Sequence, residues 1–468
     1  MEFVYCLVFG ICVLGFIMIK DYLDSFINHE KDLNNLSTTE FKLDRIKELL
    51  NLIGNPHENL KAIHVAGSKG KGSTCVFIAH ILKEAGYKVG LYTSPHLNDF
   101  NERIRILGSP VHANQESIFS DSITNADLSA IVEEIKPFIE QLRETPQWGR
   151  LSFFEVYTAI ALCYFQKQNV DFVVLETGLG GRLDATNVVS ALVSVITPIS
   201  LEHTQILGDS LVKIAEEKVA IVKGDEKAVV VSLQENSVKE IIKDHCQKIN
   251  VPLLFIDEKF KWHMGVQNEE GQTFDIISAN REYSQLRSSL LGQHQVANAA
   301  VAIGVIENLQ LLGFNISFEA IYRGIATAFW PGRFEIVGRN PFIVLDGAHN
   351  EASCKALVQT IYETFPGKKV NLVLGISSDK NKKVICEQFK NIVNQVVVTK
   401  ANTPRAGRFR QEELVPLFPK SQCFMTENVS DAVRLVLNQS KEEDVVLIAG
   451  SLFVVSEARR ILCINSKV

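Results

Sequence analysis

The run Gly67-Ser68-Lys69-Gly70-Lys71-Gly72-Ser73-Thr74 combines glycines, lysines and three hydroxyls at a spacing suited to phosphate chemistry. Glycines let backbone N–H groups approach phosphate oxygens, a following helix adds the positive end of its dipole, and Lys71 supplies a mobile charge. In a strict Walker A pattern Ser or Thr follows the lysine directly; here Gly72 intervenes before Ser73. A plain glycine-rich turn ahead of a helix is the competing reading. Three more polar residues close apolar runs: Ser94 after 87–93, Glu176 after 170–175, and His203, reached from 193–197 through Pro198 and Glu202. Brought together, a hydroxyl, a carboxylate and an imidazole would offer a divalent ion a seat beside phosphates. Singly, each has an ordinary explanation: Ser94 before Pro95 is turn chemistry, Glu176 a solvated strand end, His203 a capped surface histidine.

The elements that must position these groups are legible around them. The apolar run 62–66 is too short for a helix and runs straight into glycines, so it reads as a buried strand. A helical stretch follows through Leu82, and 87–93 is a second strand. Strand, glycine loop, helix, strand is the context a phosphate loop requires. In an open parallel sheet ligands gather at the carboxyl ends of strands, which is where Ser94, Glu176 and His203 fall. Upstream, Leu43, Ile46, Leu49, Leu50 and Ile53 recur at helical spacing and stop at Gly54-Asn55-Pro56. Downstream, strands at 342–345, 370–374, 396–399 and 445–449 alternate with helices such as 351–362 and 429–437, giving a second parallel sheet. The boundary belongs near Trp330-Pro331-Gly332. Arg333 and Asp346 lie just beyond it, where a hinge salt bridge and a helix cap are their ordinary roles.

The expected class is therefore α/β, a P-loop parallel-sheet ATPase domain followed by a smaller Rossmann-like α/β domain. We divide the chain into an apolar N-terminal segment and linker (1–35), a central domain (36–328) and a C-terminal domain (329–468). A length of 468 residues suits two or three domains. A net charge of −6 gives no electrostatic case for nucleic acid, so small molecules are the expected partners, and a monomer is expected. Nine scattered cysteines without a C-x-x-C pair point to reduced thiols and a cytoplasmic setting, with neither a disulfide frame nor a zinc site. The apolar run 3–19 sits at the short limit of a membrane span. Glu2 at its head and the lack of a cleavage site argue against a secretory signal, leaving a membrane anchor or a start at Met18.

Taken in order, the motifs resemble those of the folylpolyglutamate synthase/dihydrofolate synthase family. His64-Val-Ala-Gly-Ser-Lys-Gly-Lys-Gly-Ser-Thr74 is similar to its HVAGTNGKGST and Tyr92-Thr-Ser-Pro-His-Leu97 to its YTSPHL. Ser152-Phe-Phe-Glu155 resembles TFFE, and Glu176-Thr-Gly-Leu-Gly-Gly-Arg-Leu-Asp-Ala-Thr-Asn187 resembles E-x-GLGGRLDATN. Leu201-Glu-His-Thr204, Glu217-Lys218, Gly292-Gln-His-Gln-x-x-Asn298, Trp330-Pro-Gly-Arg333 and Asp346-Gly-Ala-His-Asn350 follow in family order. Departures are small: Ser68-Lys69 replaces Thr-Asn, and Ala220 stands where the family has glycine. A polar stretch at 109–126 is expected to be an inserted surface loop.

The resemblance implies ATP-dependent addition of glutamate to dihydropteroate or folates through an acyl phosphate. It implies ATP on Gly67, Gly70, Lys71, Gly72, Ser73 and Thr74, with Asn298, Arg333, Asp346 and His349 as further nucleotide contacts. It implies Mg2+ on Ser94, Glu176 and His203, and a pteroate held near Arg182 and Asp184, so that losing Asp184 should hurt the pteroate reaction more than chain extension. Lys71, His203 and Lys218 are the implied catalytic residues, Lys218 as a carbamate formed with carbon dioxide. The alternatives are a related cell-wall-precursor ligase, which the Gly70-Lys71-Gly72-Ser73 pattern opposes, and a membrane-tethered nucleotide-binding protein without ligase activity.

Overall fold

The computed structural model describes residues 18–28, 42–109, 117–418 and 422–464. Seven strands form the first sheet: β1 (Ala62–Ala66), β2 (Val89–Tyr92), β3 (Ile104–Leu107), β4 (Phe172–Glu176), β5 (Ala191–Ile196), β6 (Ala228–Val231) and β7 (Leu253–Phe255). Their order is β3-β2-β4-β1-β5-β6-β7, and every neighbouring pair except β2 and β3 is parallel. All residues of β1 and β4 are buried, as befits parallel strands covered on both faces. Because β1 lies between β4 and β5, with β2 beyond β4, the chain leaves all four strands at one edge of the sheet.

Three helices in this unit bear on the site: α1 (Lys71–Glu84), α2 (Phe153–Lys167) and α3 (Leu211–Val219). Ser152 begins α2 with a capping box, its hydroxyl accepting from Glu155 N while the Glu155 carboxylate accepts from Ser152 N. Glu155 also pairs with Arg45 at 2.9 Å, so this motif does structural service.

A three-stranded sheet has the order β10-β9-β8, from β8 (Lys261–Asn268), β9 (Gly271–Ile277) and β10 (Glu282–Ser288). Helix α4 (Gln293–Leu311) follows. The last sheet contains β11 (Glu335–Arg339), β12 (Phe342–Leu345), β13 (Val370–Leu374), β14 (Val393–Val398), β15 (Gln422–Met425) and β16 (Val445–Ala449), in the order β11-β12-β16-β13-β14-β15. It is parallel apart from β11, with α5 (Glu351–Thr364) leading from β12 toward β13. The α/β class with two parallel sheets is thus the one expected.

The chain divides into two compact units. One runs to Lys261 and takes in Ser278–Asn280 and Ala297–Ile325; the other holds Trp262–Ile277, Arg281–Val296 and the chain from Ala326. Each has its own apolar core.

The expected surface loop at 109–126 needs correction where it is described. Phe119 and Ile123 are buried, because Arg105 lies 3.7 Å over the Phe119 ring and pairs with Asp121 at 2.8 Å. Most of the apolar run 3–19 lies outside the described residues. Ile19, with Leu23 and Phe26, packs into the core of the first unit. Among the described residues no helix is long and apolar enough to cross a membrane.

Candidate functional site

The loop between β1 and α1 is built by close approach. Gly67 (φ +148) passes so near Thr197 that a Cβ would lie 1.9 Å from its Oγ1 and 2.8 Å from its carbonyl oxygen. Gly70 (φ +80) caps α1 in the left-handed region, where a Cβ would stand 2.4 Å from Asn298 Oδ1. Ser68 N and Lys69 N both donate to Pro198 O, at 2.9 and 3.1 Å, tying the loop to the end of β5. Lys71 opens α1 and donates to Gly67 O at 3.1 Å. Ser73 and Thr74 are buried on the first turn, and Thr74 Oγ1 has no hydrogen-bond partner. Asn298, on α4, is buried against this loop.

The ends of β2 and β4 meet directly: Ser94 N donates to Glu176 Oε2 at 3.0 Å. Glu176 is buried, and Thr177 Oγ1 beside it is likewise buried without a partner. His203 sits in the left-handed region (φ +46), exposed, at the start of the short helix Thr204–Leu207. Among the described residues no three His, Cys, Asp or Glu side chains form a metal cluster. The set Ser94, Glu176 and His203 has one hydroxyl, one carboxylate and one imidazole. The oxygen donors of Ser94 and Glu176, with the orphaned hydroxyl of Thr177 next in the chain, suit a hard cation that keeps several waters.

Lys218, on α3, is 1% exposed, not solvated beside Glu216 or Glu217. Its Nζ donates to Gly67 O at 2.8 Å and pairs with Glu202 Oε1 at 2.9 Å. Burial, only partly opposed by Glu202, pulls the lysine down to about 8. Burial would raise Glu202, but Lys218, Lys71 and Lys69 outweigh it and draw the carboxyl down to about 2. Glu202 therefore pairs with two lysines at the loop, Lys218 and, at 3.8 Å, Lys69, and feels the charge of Lys71. The sequence shows it only as the residue before His203; nothing in the spacing pairs it with a lysine sixteen positions on.

The Gly178–Asn187 stretch packs onto α3, with Arg182 N donating to Glu217 O at 2.8 Å. Arg182 is exposed and pairs with Glu217. Asp184 is buried, and both its oxygens serve the loop: Oδ2 accepts from Leu179 N at 2.8 Å, Oδ1 from Thr186 N at 3.0 Å and Thr186 Oγ1 at 2.5 Å. Burial raises its pKa against those bonds. Thr186 Oγ1 in turn meets His64 Nε2 at 2.7 Å, linking the loop to β1. Asp184 thus holds the shape of the loop.

In the second unit, Asp346 follows β12, and its oxygens accept from Phe334 N and Ala348 N at 2.8 Å each. Burial raises its carboxyl and Arg333 opposes that rise. Gly347 passes under Arg333, where a Cβ would lie 2.6 Å from Nη1. His349 Nδ1 meets Gly347 O at 2.8 Å, and Asn350 caps α5. Arg333, Asp346 and His349 thus share one turn ahead of a helix.

Comparison with known proteins agrees with these features. Residues 154–306 match the Mur ligase middle domain and residues 332–452 the glutamate ligase domain of Mur ligases. The chain is 34% identical to the dihydrofolate synthase/folylpolyglutamate synthase of Bacillus subtilis, over 89% of this chain and 94% of that one. It is 35% identical to a Haloferax volcanii protein named probable bifunctional folylpolyglutamate synthase/dihydropteroate synthase, covering 89% of this chain but 48% of that longer one. In structure it is similar to Mycobacterium tuberculosis folylpolyglutamate synthase complexed with ADP: TM-score 0.84, 28% identity, 96% of this chain and 99% of that one. With both Mur ligase domains in place and full-length relatives above 30% identity, the chain belongs to the dihydrofolate synthase/folylpolyglutamate synthase family.

Proposed function

We infer that this chain is an ATP-dependent ligase that joins L-glutamate to dihydropteroate and to folate (poly)glutamates through an acyl phosphate. The observation that carries this reading is the Gly67–Thr74 loop closing on α1, with Lys71 and Lys218 on Gly67 O and the Ser94–Glu176 contact beside it. The mycobacterial structure complexed with ADP supports nucleotide binding by this chain. The curated relatives are named for folates, which favours folate acceptors over cell-wall precursors.

An ionised carboxylate does not accept an amine, so it must first be activated. The carboxylate oxygen attacks the γ-phosphorus of ATP, the bond to the β–γ bridging oxygen breaks, and ADP leaves. The glutamate amine then attacks the acyl carbon, the bond to the phosphate oxygen breaks, and amide, phosphate and a proton result. Loop N–H groups, the start of α1, Ser73 and Thr74 hold the phosphates, and Lys71 balances charge in transfer. Ser94, Glu176 and His203 would hold Mg2+, which would supply positive charge to the phosphate oxygens. Asn298, Arg333, Asp346 and His349 are proposed to orient the nucleotide, and Arg182 and the loop that Asp184 braces to hold the pterin side.

Lys218 is proposed to react with carbon dioxide, its neutral amine forming a carbamate and releasing one proton. Burial supplies that amine by lowering the pKa to about 8. The ATP-binding domain is proposed to lie within 36–328, less 262–277 and 281–296, which cluster with the second unit, and the ligase domain within 329–468, of a monomer. Cys75, Cys163, Cys246, Cys354 and Cys386 are buried thiols, which suits a reducing cytoplasm.

The test offers ATP and labelled glutamate with dihydropteroate, tetrahydrofolate or a muramyl acceptor. Incorporation into the folates alone is expected. Incorporation only into the muramyl acceptor, or ATP turnover with no incorporation, would overturn the reading. A carbamate carbon signal from 13C-labelled carbon dioxide, lost in Lys218→Ala together with ligation, is expected as well.

A further inference from the structure

The turn Asn101-Glu102-Arg103-Ile104-Arg105 holds four polar side chains that are 2%, 3%, 0% and 4% exposed. Burying that much charge is costly unless each group is partnered, so their partners say what they are for. Two point away from the candidate site. Asn101 Nδ2 donates to Ile123 O at 3.0 Å and to Asn125 Oδ1 at 2.7 Å, and Arg105 pairs with Asp121. The other two point at the loop that leaves β2. Glu102 accepts from Leu97 N at 2.8 Å, from Asn98 N at 3.1 and 3.2 Å, and from Asp99 N at 3.1 Å. Arg103 Nε donates to His96 Nδ1 at 2.9 Å, its guanidinium lies 5.4 Å from the Phe153 ring centre, and its carbonyl accepts from Thr93 N at 3.1 Å. An arginine can only donate, so the His96 ring must present a bare Nδ1 to it, which fixes the orientation of that ring.

We propose that Arg103 and Glu102 are positioning residues for ligation, holding residues 94–99 so that Ser94 stays seated on Glu176. The proposal rests on the ligase reading above. Two neighbouring charges grip the loop from Thr93 to Asp99, and Ser94 lies inside that grip. The acidic member collects three successive backbone N–H groups, and the basic member fixes the side chain in between. A loop of this length left to itself would exchange among conformers, and displacing a reacting group by about 1 Å costs on the order of 100-fold in rate.

The neighbouring residues provide the control, since Arg105 is as buried as Arg103 but faces the other way. Arg103→Met, Arg103→Lys, Glu102→Gln and Arg105→Met are compared in the full chain. Arg103→Met and Glu102→Gln should lose at least tenfold in kcat with KM for glutamate nearly unchanged, and Arg103→Lys should recover part of the loss. Arg105→Met should lower the unfolding midpoint and leave kcat near wild type. Amide hydrogen exchange at residues 97–99, which needs no turnover, should quicken in Arg103→Met and Glu102→Gln but not in Arg105→Met. Where Arg103→Met fails to fold, Arg103→Lys and Glu102→Gln carry the comparison. Unchanged exchange at 97–99, or equal kcat losses in the Arg103 and Arg105 variants, would overturn the proposal. Wild-type protein that incorporates no glutamate would instead overturn the ligase reading, with exchange still deciding whether the brace exists.

Discussion

Acid should loosen the first unit through His64, by an amount that follows from where the ring sits. His64 is 0% exposed in β1, between β4 and β5. Thr186 gives its hydroxyl proton to Asp184 Oδ1, so at 2.7 Å it accepts from His64 Nε2. The ring proton is therefore on Nε2, and Nδ1, buried without a partner, carries none. A second proton there would be an unpaired charge in the core. Burial, helped by Lys223, pulls the pKa from 6.5 down to about 3. The unfolded chain takes up that proton near 6.5 and the folded chain only near 3, so this stability is complete above pH 6.5 and is lost as pH falls toward 3. At about 1.4 kcal/mol per unit, the loss at pH 5 is about 2 kcal/mol. His80 is pulled down to about 3 as well and acts in the same direction, so the informative comparison is with His64→Gln, which keeps a donor but does not titrate. Trp148 packs against the core of the first unit and can report on it once Trp262 and Trp330 are replaced by Phe. In urea unfolding, protein with His64 intact should lose about 2 kcal/mol more than the His64→Gln variant between about pH 7.5 and about pH 5. Equal losses would refute the buried, neutral histidine.

In protein freed of carbon dioxide, where Lys218 is an unmodified ammonium, Glu202→Gln leaves that charge buried without its partner; with Glu202 itself 16% exposed, the cost should be near the lower end for broken buried pairs, about 3 kcal/mol. Adding Lys218→Met should restore most of it in urea unfolding, and an additive double variant would contradict the coupling. Gly70→Ala forces a side chain into φ +80 and against Asn298, so nucleotide affinity by calorimetry should fall at least tenfold; unchanged affinity would remove the loop from the nucleotide site. In place of the unequal loss expected from the resemblance, Asp184→Asn should reduce glutamate addition to dihydropteroate and to tetrahydrofolate alike, because both carboxylate oxygens shape the loop; a loss confined to dihydropteroate would mean that Asp184 touches the pterin directly.

Much of the frame could be read in advance because parallel strands announce themselves as short, continuous apolar runs. The runs at 62–66, 342–345, 370–374 and 445–449 coincide with β1, β12, β13 and β16. The run 87–93 shortened to Val89–Tyr92, since Lys88 turns its backbone to Asp171 and the chain leaves the sheet at Thr93. The sheet β8–β10 is not legible in the sequence: β8 is largely exposed and has no clean apolar alternation. Within the site, glycine and lysine spacing revealed the loop, and strand ends selected Ser94 and Glu176, which do meet. Glu202 stayed hidden because its partnership with Lys218 depends on the left-handed turn at His203 and on α3 folding back, neither of which is written in local pattern. The grip of Glu102 and Arg103 was equally invisible, since a run of charges reads as a solvated surface until burial shows otherwise.

Transfer of oxygen from substrate to phosphate tests ligation through an acyl phosphate most directly. With 18O in the folate-side carboxylate, and ATP and glutamate supplied, each phosphate released should carry one substrate oxygen and appear with one ADP and one new amide. Phosphate without the label, or AMP and pyrophosphate in place of ADP and phosphate, would contradict it.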